Sequence, residues 1–516
     1  MKFQHSKATT SAALFSLICS SVASPIWWPS LDFKGLQTVL TSSSEDDNIV
    51  SSDGLLDYVN KSGLLARAHE LYALAVRSEP SYGHPTRVIG SPGHEKTIEY
   101  IKSELSKLGD YYNVSTQDFE AYSGFVYESR LVINGEIPKS AEPLSLTGPT
   151  KDKEPVYGRI VHVPNGGCSV SDFDSVLASD SIALIERGTC SFGVKSENAG
   201  AAGAFAAVIF DNQPGDTLHG TLGEVLPHQV ATFGINREDG QKYVKLIEEG
   251  KALEGSAYID GYINVITTQN IIAETRGGNA DSIVCLGAHS DSVAEGPGIN
   301  DDGTGTISLL EVASGLANYN VTNKVRFAWW SAEEEGLVGS NYYVSQLSPE
   351  ENRKIRVFMD YDMMASPNYA YQIYDSDNSA NPNGSSELRQ LYIDFYESQG
   401  VNYTFIPFDG RSDYYAFIEN GIPGGGVATG AEGIKTEEEV ELFGGKAGEW
   451  YDSCYHQLCD DTTNLNYDAW LINTRLIAHS VATYGASLKG FPEREVEEKV
   501  SSYRSKFKYR GSKLIF

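Results

Sequence analysis

The run CLGAHSDSVAEGPGINDDGTG, residues 285–305, places a histidine and several acids directly after an apolar segment. His289 and Asp291 follow the apolar residues, and Asp301 lies beyond a glycine-rich turn. Carboxylates that lie close together repel one another, so such a cluster needs a positive partner once it is removed from water. The pattern therefore predicts either a metal site or a group of polar side chains that face solvent.

Acids also follow two later apolar segments. WWSAEEEGLVGS carries Glu333, Glu334 and Glu335, FMDYDMMASPN carries Asp362, and a distant histidine, His456, lies in YDSCYHQLCDD. Imidazole nitrogens and carboxylate oxygens together suit zinc or a similar divalent ion, and a shared carboxylate can hold two such ions. Each residue alone is more typical of a solvated acid or a hydrogen-bonded structural histidine. The metal site is therefore a prediction from the whole set.

The elements that must position these groups are apolar strands that alternate with helices. SIVCLGAH, KVRFAWWS and IRVFMDYD are predicted strands, and a helix is predicted over about 305–316. This alternation predicts an α/β fold with a mostly parallel sheet covered by helices on both faces. In such sheets ligands gather at the carboxyl ends of the strands, which is where the acids and His289 stand.

Changes in composition and residue pattern along the chain indicate domain boundaries. The first residues carry Lys2 and Lys7, then an apolar stretch and a small-residue exit, the pattern of a cleaved secretory signal. From about residue 131 to 263, short β-type runs and an alanine- and glycine-rich segment predict a separate inserted module. We predict a signal peptide at 1–23, a flexible leader or propeptide at 24–50, a first part of the main domain at 51–130, the insert at 131–263, the rest of the main domain at 264–490, and a C-terminal tail at 491–516.

The composition excludes some partners. The formal net charge of −29 makes nucleic acid and anionic membranes poor partners, since both require clustered cations. After the signal no run reaches the roughly 18 apolar residues of a membrane span. We expect a monomer that is secreted or sorted to the vacuolar lumen. Glycosylation sequons that fit this route begin at Asn60, Asn113, Asn320, Asn383 and Asn402.

Removal of the signal leaves five cysteines, which predicts two disulfides and one free thiol. Cys454 and Cys459 are close enough in sequence to close one loop. In the insert, Cys190 could be a nucleophile, but a disulfide with Cys168 suits a secreted chain better. Cys285, in the apolar run SIVCLG, is the predicted buried thiol. The two histidines of the insert's later part, His219 and His228, are predicted loop residues rather than ligands.

Taken in order, AHSDSVAEGPGINDDGTG, FAWWSAEEEGLVGS, DMMASPN, GRSDYYAF and CYHQLCD resemble the co-catalytic zinc aminopeptidases of peptidase family M28. The resemblance is to its fungal aminopeptidase Y and leucine aminopeptidase 2 group in particular. The insert's IALIERGTCSFGVKSENAGAAGA is similar to a protease-associated (PA) domain. The resemblance implies a three-layer zinc-peptidase domain with an inserted, mainly β PA domain, and two zinc ions per subunit.

The resemblance also assigns the metal ligands position by position. It implies that His289 and Asp362 bind one zinc ion and that Glu334 and His456 bind the other. Asp301 would bridge the two ions. These five residues are the predicted metal ligands.

Other roles are carried over in the same way. Asp291 would lie behind the liganding histidine and fix its tautomer through a hydrogen bond. Glu333 would be the general base, Tyr455 would support the oxyanion, and the backbone carbonyl of Arg411 would help to hold the substrate's free amine. Glu335 is expected to be a surface acid or to lie behind the ligands.

The implied activity is release of N-terminal residues, large and apolar such as leucine, from peptides with a free N-terminus. A carboxypeptidase on the same scaffold is the second hypothesis, and it would need basic groups for a terminal carboxylate, of which the motifs offer only Arg411. A non-catalytic, receptor-like relative is the third hypothesis. Such a protein would lack metal ligands and would be insensitive to a chelator.

Overall fold

The computed structural model describes residues 48–174, 179–215, 217–223 and 225–494. All of them belong to one compact unit that begins at Asn48. The predicted signal peptide lies outside the described residues, as do all but the last three residues of the predicted leader and all but the first four of the predicted tail.

The described residues contain strands and helices in the alternating order expected of an α/β chain. The strands are β1 (Tyr112–Ile133), β2 (Glu142–Pro143), β3 (Val156–Val163), β4 (Ser181–Glu186), β5 (Ala206–Phe210), β6 (Ala231–Ile235), β7 (Glu254–Thr275), β8 (Asn279–His289), β9 (Asn323–Trp330), β10 (Ile355–Tyr361), β11 (Gln372–Tyr374), β12 (Thr404–Ile406) and β13 (Gly424–Ala428). The α-helices are α1 (Ser52–Tyr58), α2 (Lys61–Ala75), α3 (Glu79–Tyr82), α4 (Pro92–Ser106), α5 (Phe192–Ala201), α6 (Arg237–Glu248), α7 (Gly303–Leu316), α8 (Val338–Gln346), α9 (Pro349–Lys354), α10 (Ser385–Ser398), α11 (Tyr414–Glu419), α12 (Glu437–Phe443) and α13 (Tyr467–Ala486). Short 3-10 helices cover Val76–Ser78, Lys151–Lys153, Pro164–Gly167 and Val170–Phe173.

The strands form one sheet in the order β12-β11-β13-β10-β8-β9-β7-β3-β4-β5-β6-β2, and β1 pairs with β7. Strands β9, β8, β10 and β13 are parallel to one another. They are flanked by β7, antiparallel to β9, and by β11, antiparallel to β13. Every residue of β10 is buried, as expected of a central strand covered on both faces.

Successive residues of the central strands pack into different cores, because side chains alternate across a sheet. Val284 and Leu286 of β8 join the core formed with α1, α2, α4, α7, α10 and α13. Cys285, between them, joins the core formed with α8 and α11, and among the described residues it is the free cysteine, which is buried. Helices therefore cover both faces, and the predicted α/β architecture is confirmed.

The insert continues the same sheet rather than forming a detached body. Strands β1 and β7 are each 22 residues long and pair along their whole length, from Tyr112 opposite Thr275 to Ile133 opposite Gly255. Strand β3 then pairs with β7, and β3 to β6 run parallel beside α5 and α6. The predicted insert boundaries, near residues 131 and 263, fall inside this two-stranded ribbon.

Two disulfides join Cys168 to Cys190 in the insert and Cys454 to Cys459 in the main domain. No helix among the described residues is long and apolar enough to span a bilayer. The sequon asparagines are all exposed, at Asn60, Asn113, Asn320, Asn383 and Asn402.

Candidate active site

The carboxyl ends of three adjacent parallel strands bring the predicted ligands to one place. Strand β8 ends on His289, β10 ends immediately before Asp362, and the turn after β9 carries Glu333. The Nε2 atom of His289 lies 3.2 Å from Asp301 Oδ1, 3.7 Å from Asp362 Oδ1 and 3.9 Å from Glu333 Oε2. A fully buried imidazole is thus surrounded by three carboxylates.

A second imidazole completes the cluster from the other side. The Nε2 atom of His456 lies 3.1 Å from Asp301 Oδ2 and 3.1 Å from Glu334 Oε2. Asp301 therefore directs one carboxylate oxygen toward each histidine, which is the arrangement of a carboxylate shared by two cations. Asp301, Glu334 and His456 offer ligand atoms within 4.8 Å of one another, as do His289, Glu333 and Glu334.

The electrostatics of the cluster fit divalent cations. Burial would lower the pKa of His289, but Glu333, Asp301 and Asp362 together raise it well above its ordinary value. The carboxylates therefore stabilise positive charge at the position of this ring. Imidazole and carboxylate groups are among the donors that zinc uses, so the residues present fit a zinc site.

A cavity of about 290 Å³ opens beside the cluster, and Asp362, Met363 and Tyr455 are among the residues that line it. The ring of Tyr455 stacks on that of His456, with centroids 3.9 Å apart. Stacking on a candidate ligand holds the tyrosine next to the cluster of candidate ligands.

Two family models match the chain: Peptidase family M28 over residues 270–481 and the PA domain over residues 156–243. The chain is 51% identical to aminopeptidase Y of Saccharomyces cerevisiae over 479 residues, covering 90% of this chain and 87% of that protein. The chain belongs to peptidase family M28. The predicted family, with its inserted PA domain, is therefore confirmed.

Other comparisons agree with membership of M28. Leucine aminopeptidase 2 of Trichophyton equinum is 43% identical over 86% of this chain and 88% of its own length. Among solved structures, an aminopeptidase from Aneurinibacillus sp. strain AM-1 matches with a TM-score of 0.68 and 25% identity, over 87% of this chain and 98% of that one. BSAP, a zinc aminopeptidase from Bacillus subtilis, matches with a TM-score of 0.57 and 25% identity, over 84% of this chain and 98% of that one.

The neighbouring residues Asp301 and Asp302 have different roles in this M28 chain. Asp302 accepts hydrogen bonds from the backbone amides of His289, Gly305 and Met363, at 3.1, 2.9 and 3.1 Å, and it caps the first turn of α7. Its carboxylate thus ties together two strand ends and a helix. Asp301, held next to it, is the one that faces both imidazoles.

Asp291 lies behind the first histidine, as the resemblance implies, with Oδ1 at 3.8 Å from His289 Nδ1. This distance is longer than a hydrogen bond. Its carboxylate instead accepts from the backbone amides of Glu333 and Glu334, both at 3.3 Å. Asp291 therefore connects the end of β8 to the turn that carries the candidate base and a candidate ligand. Glu335, which follows, is buried rather than at the surface.

The motifs do not indicate the role of Arg87, a fully buried residue upstream of the insert. Its guanidinium donates to the backbone carbonyls of Ser290, Pro297 and Gly298. Burial lowers the pKa of Arg87, while Asp291 and the aspartates near it raise it. Arg87 thus holds the loop after β8 and offsets part of the buried negative charge.

Sequence reasoning also missed two acids on either side of His456. Asp460 accepts from the backbone amides of Asn300 and Asp301, at 2.9 and 3.0 Å, and Asp452 accepts from the side-chain amide of Asn300 at 2.7 Å. They join the Cys454–Cys459 loop to the loop that carries Asp301. The sequence signal for Asp452 and Asp460 is their position close to His456 in YDSCYHQLCDD. Acids in such a motif are equally typical of a solvated turn.

The turns that carry the candidate ligands contain left-handed residues other than glycine. Ala332, Met363 and His456 have φ values of 62, 57 and 58°. Such conformations cost on the order of 1–3 kcal/mol each and persist only where the surroundings determine them strongly. Asp291 and Asp302 provide that constraint for Ala332 and Met363, because they accept hydrogen bonds from the backbone amides of Glu333 and Met363.

Proposed function

We propose that this M28 chain is a metallo-aminopeptidase that removes N-terminal residues from peptides and uses two zinc ions. One observation carries the proposal: the two carboxylate oxygens of Asp301 face the two imidazoles, His289 and His456. Asp362 would complete the first ion's ligands and Glu334 the second's. When bound, the two zinc ions would lower the pKa of a water molecule and polarise the scissile carbonyl.

The chain's own groups would then move protons and stabilise charge. Glu333, buried beside the ligands, would accept a proton from the attacking water and return it to the leaving amine. Tyr455, next to His456, would donate a hydrogen bond to the oxygen that gains negative charge. The backbone carbonyl of Arg411 would accept from the substrate's ammonium group.

The charges around the cavity favour this reading over a carboxypeptidase. Arg411, which lines the cavity, is ion-paired with Glu432. That carboxylate and Asp409, in the same lining, would repel a substrate's terminal carboxylate. A receptor-like protein without catalysis is disfavoured because all predicted ligand positions carry suitable donors.

The experiment that tests the proposed activity compares leucine p-nitroanilide with its N-acetylated form, each with and without a chelator. We expect release of p-nitroaniline from the free amine only, because acetylation removes the ammonium that the acidic site would hold. We also expect the chelator to stop it. Equal cleavage of both substrates would contradict an aminopeptidase, and cleavage unaffected by chelator would contradict a metalloenzyme.

The cavity supports a preference for long N-terminal side chains. Met363, Ile406, Pro407 and Ile434 give it apolar walls that suit leucine. One observation favours a second class: Asp409, an exposed residue, lines the same cavity and could pair with the ammonium of a lysine. We propose the leucine-like preference as primary and lysine as the alternative.

The Asp409→Asn variant separates these two classes. If the carboxylate binds a basic side chain, kcat/KM for a lysyl substrate should fall by about tenfold, the worth of an ion pair or charged hydrogen bond of roughly 1.5 kcal/mol. The value for the leucyl substrate should stay within twofold. Steady-state kinetics on matched lysyl and leucyl p-nitroanilides would check this, and an equal loss on both would show that Asp409 does not select side chains.

We also propose that the chain passes through the secretory pathway to the exterior or to a vacuole. Two disulfides and the exposure of the sequon asparagines support this route, since disulfides persist in oxidising compartments. The predicted signal peptide at 1–23 would direct it there.

A further inference from the structure

An aromatic surface lies on the ribbon of β1 and β7. We call it the aromatic patch and define it by Tyr82, His84, Phe125, Tyr127 and Tyr262. Phe125 and Tyr262 are partners in the strand register. The ring of Tyr127 lies 5.3 Å from Phe125 and 5.8 Å from Tyr262, while Tyr82 and His84 lie 5.8 and 6.5 Å from Phe125. The five rings are therefore contiguous.

The patch faces solvent most strongly at Tyr127, while Tyr82 and Phe125 also pack on a small core. Tyr127 is 62% exposed, and the other four side chains are partly exposed. The pairing of β1 with β7 shifts register between Val126 and Glu128, so Tyr127 is the extra residue of a bulge. Bulges redirect side chains, and clustered exposed aromatic rings are a typical binding surface.

The patch is joined to the candidate active site through a shared packed core. Tyr82 and Phe125 pack against a small core that contains Ala294 and Ala332. Ala332 directly precedes Glu333, the candidate base. Burial, a hydrogen bond with Tyr262 and the charge of Glu335 all raise the pKa of Tyr82, which fits its position beside the glutamate turn. A peptide that extends from the candidate metal site past this turn would meet the rings.

The cavity lies at another part of the cluster, next to Asp362 and Tyr455, whereas the patch adjoins the turn of Glu333 to Glu335. If the N-terminal side chain enters the cavity, the rest of the peptide extends away from it. We propose that the aromatic patch binds the residues that follow the scissile bond and favours apolar or aromatic side chains there. This proposal rests on the aminopeptidase function proposed above.

The test measures kcat/KM for three substrates that share an N-terminal leucine: leucinamide, Leu-Gly-Gly and Leu-Phe-Gly. Leucinamide has nothing beyond the scissile amide. We expect the wild-type protein to prefer Leu-Phe-Gly to Leu-Gly-Gly, and the Tyr127→Ala variant to lose about two- to tenfold on Leu-Phe-Gly, the range of an aromatic contact. The loss should be in KM, and the value for leucinamide should not change.

Two further variants make the result specific. Tyr127→Phe keeps the ring and should retain the preference for Leu-Phe-Gly. Tyr157→Ala removes a tyrosine of β3 that is 71% exposed and lies outside the patch, and it should match the wild type on every substrate. Because both tyrosines are exposed, neither alanine variant should unfold the protein.

The outcomes are distinguishable. Equal losses of Tyr127→Ala on leucinamide and Leu-Phe-Gly, no loss on either, or the same loss in Tyr157→Ala would overturn the proposed subsite while leaving the aminopeptidase function intact. A metal-loaded wild-type protein that hydrolyses none of the three substrates would instead contradict the function on which the proposal rests.

Discussion

The Glu333→Gln variant is expected to hydrolyse leucyl peptides about 10² to 10⁴ times more slowly than the wild type, the usual contribution of a general base. Glutamine keeps the shape of the side chain but cannot accept the proton of the attacking water. The loss should appear in kcat, with KM little changed, because Glu333 acts on the proton rather than on substrate binding. Steady-state kinetics on a leucyl peptide would measure it.

The matched control for this variant is a substitution of a neighbouring glutamate. Glu335→Gln removes a buried carboxylate two residues away and is expected to keep kcat within a few-fold of the wild type. Metal content should be retained in Glu333→Gln, because Glu333 is proposed as a base and not as a ligand. A Glu333→Gln protein that works at the wild-type rate, or one that loses a metal ion, would show that the residue has been given the wrong role.

The Tyr455→Phe variant is expected to lower kcat by about 10² to 10³, the loss that follows removal of one oxyanion donor. Phenylalanine keeps the ring that stacks on His456, so the candidate ligand should stay in place. The hydroxyl alone is removed, and the pre-steady-state and steady-state rates on a leucyl peptide would report the loss.

Tyr451→Phe is the matched control for this prediction. Tyr451 lines the same cavity, but its hydroxyl donates to Glu439 at 2.6 Å. Its removal should leave kcat within about twofold, as expected for loss of one partly exposed hydrogen bond away from the reacting atoms. If both variants lose activity equally, the effect belongs to the shape of the cavity and not to an oxyanion donor.

Much of the site could be predicted because it is built from strand ends. Residues that follow parallel strands meet at one edge of the sheet, so His289, Asp362 and the glutamate turn are brought together by topology alone. The α/β pattern and the family resemblance both depend on local sequence, and both are confirmed. The predicted helix near residue 305 begins slightly earlier, at Gly303, because Asp302 supplies its cap.

The supports of the site could not be predicted, because they act across long separations in sequence. The guanidinium of Arg87 donates a hydrogen bond to the backbone carbonyl of Ser290, which lies some 200 residues later in the chain. No local motif marks such a contact. Asp460 is near His456 in sequence, yet its bonds to the amides of Asn300 and Asp301 depend on how two loops meet.

The aromatic patch could not be predicted from the sequence for a related reason. Tyr82 and His84 precede the ribbon, Phe125 and Tyr127 lie on one strand, and Tyr262 lies on the other. The register of β1 with β7 and its bulge bring Phe125, Tyr127 and Tyr262 together, and Tyr82 and His84 join them through tertiary packing on Phe125. The same ribbon joins the insert to the main domain, so the insert boundaries predicted from composition fall within strands.

The most direct test of the account is the metal content of active protein, measured by elemental analysis alongside its rate on a leucyl peptide. We expect two divalent ions per chain, an inactive apoprotein after chelation, and recovery of activity when zinc is restored. Protein that hydrolyses the peptide at its full rate with no divalent ion bound would contradict the central claim that Asp301 and its neighbours exist to hold a pair of cations.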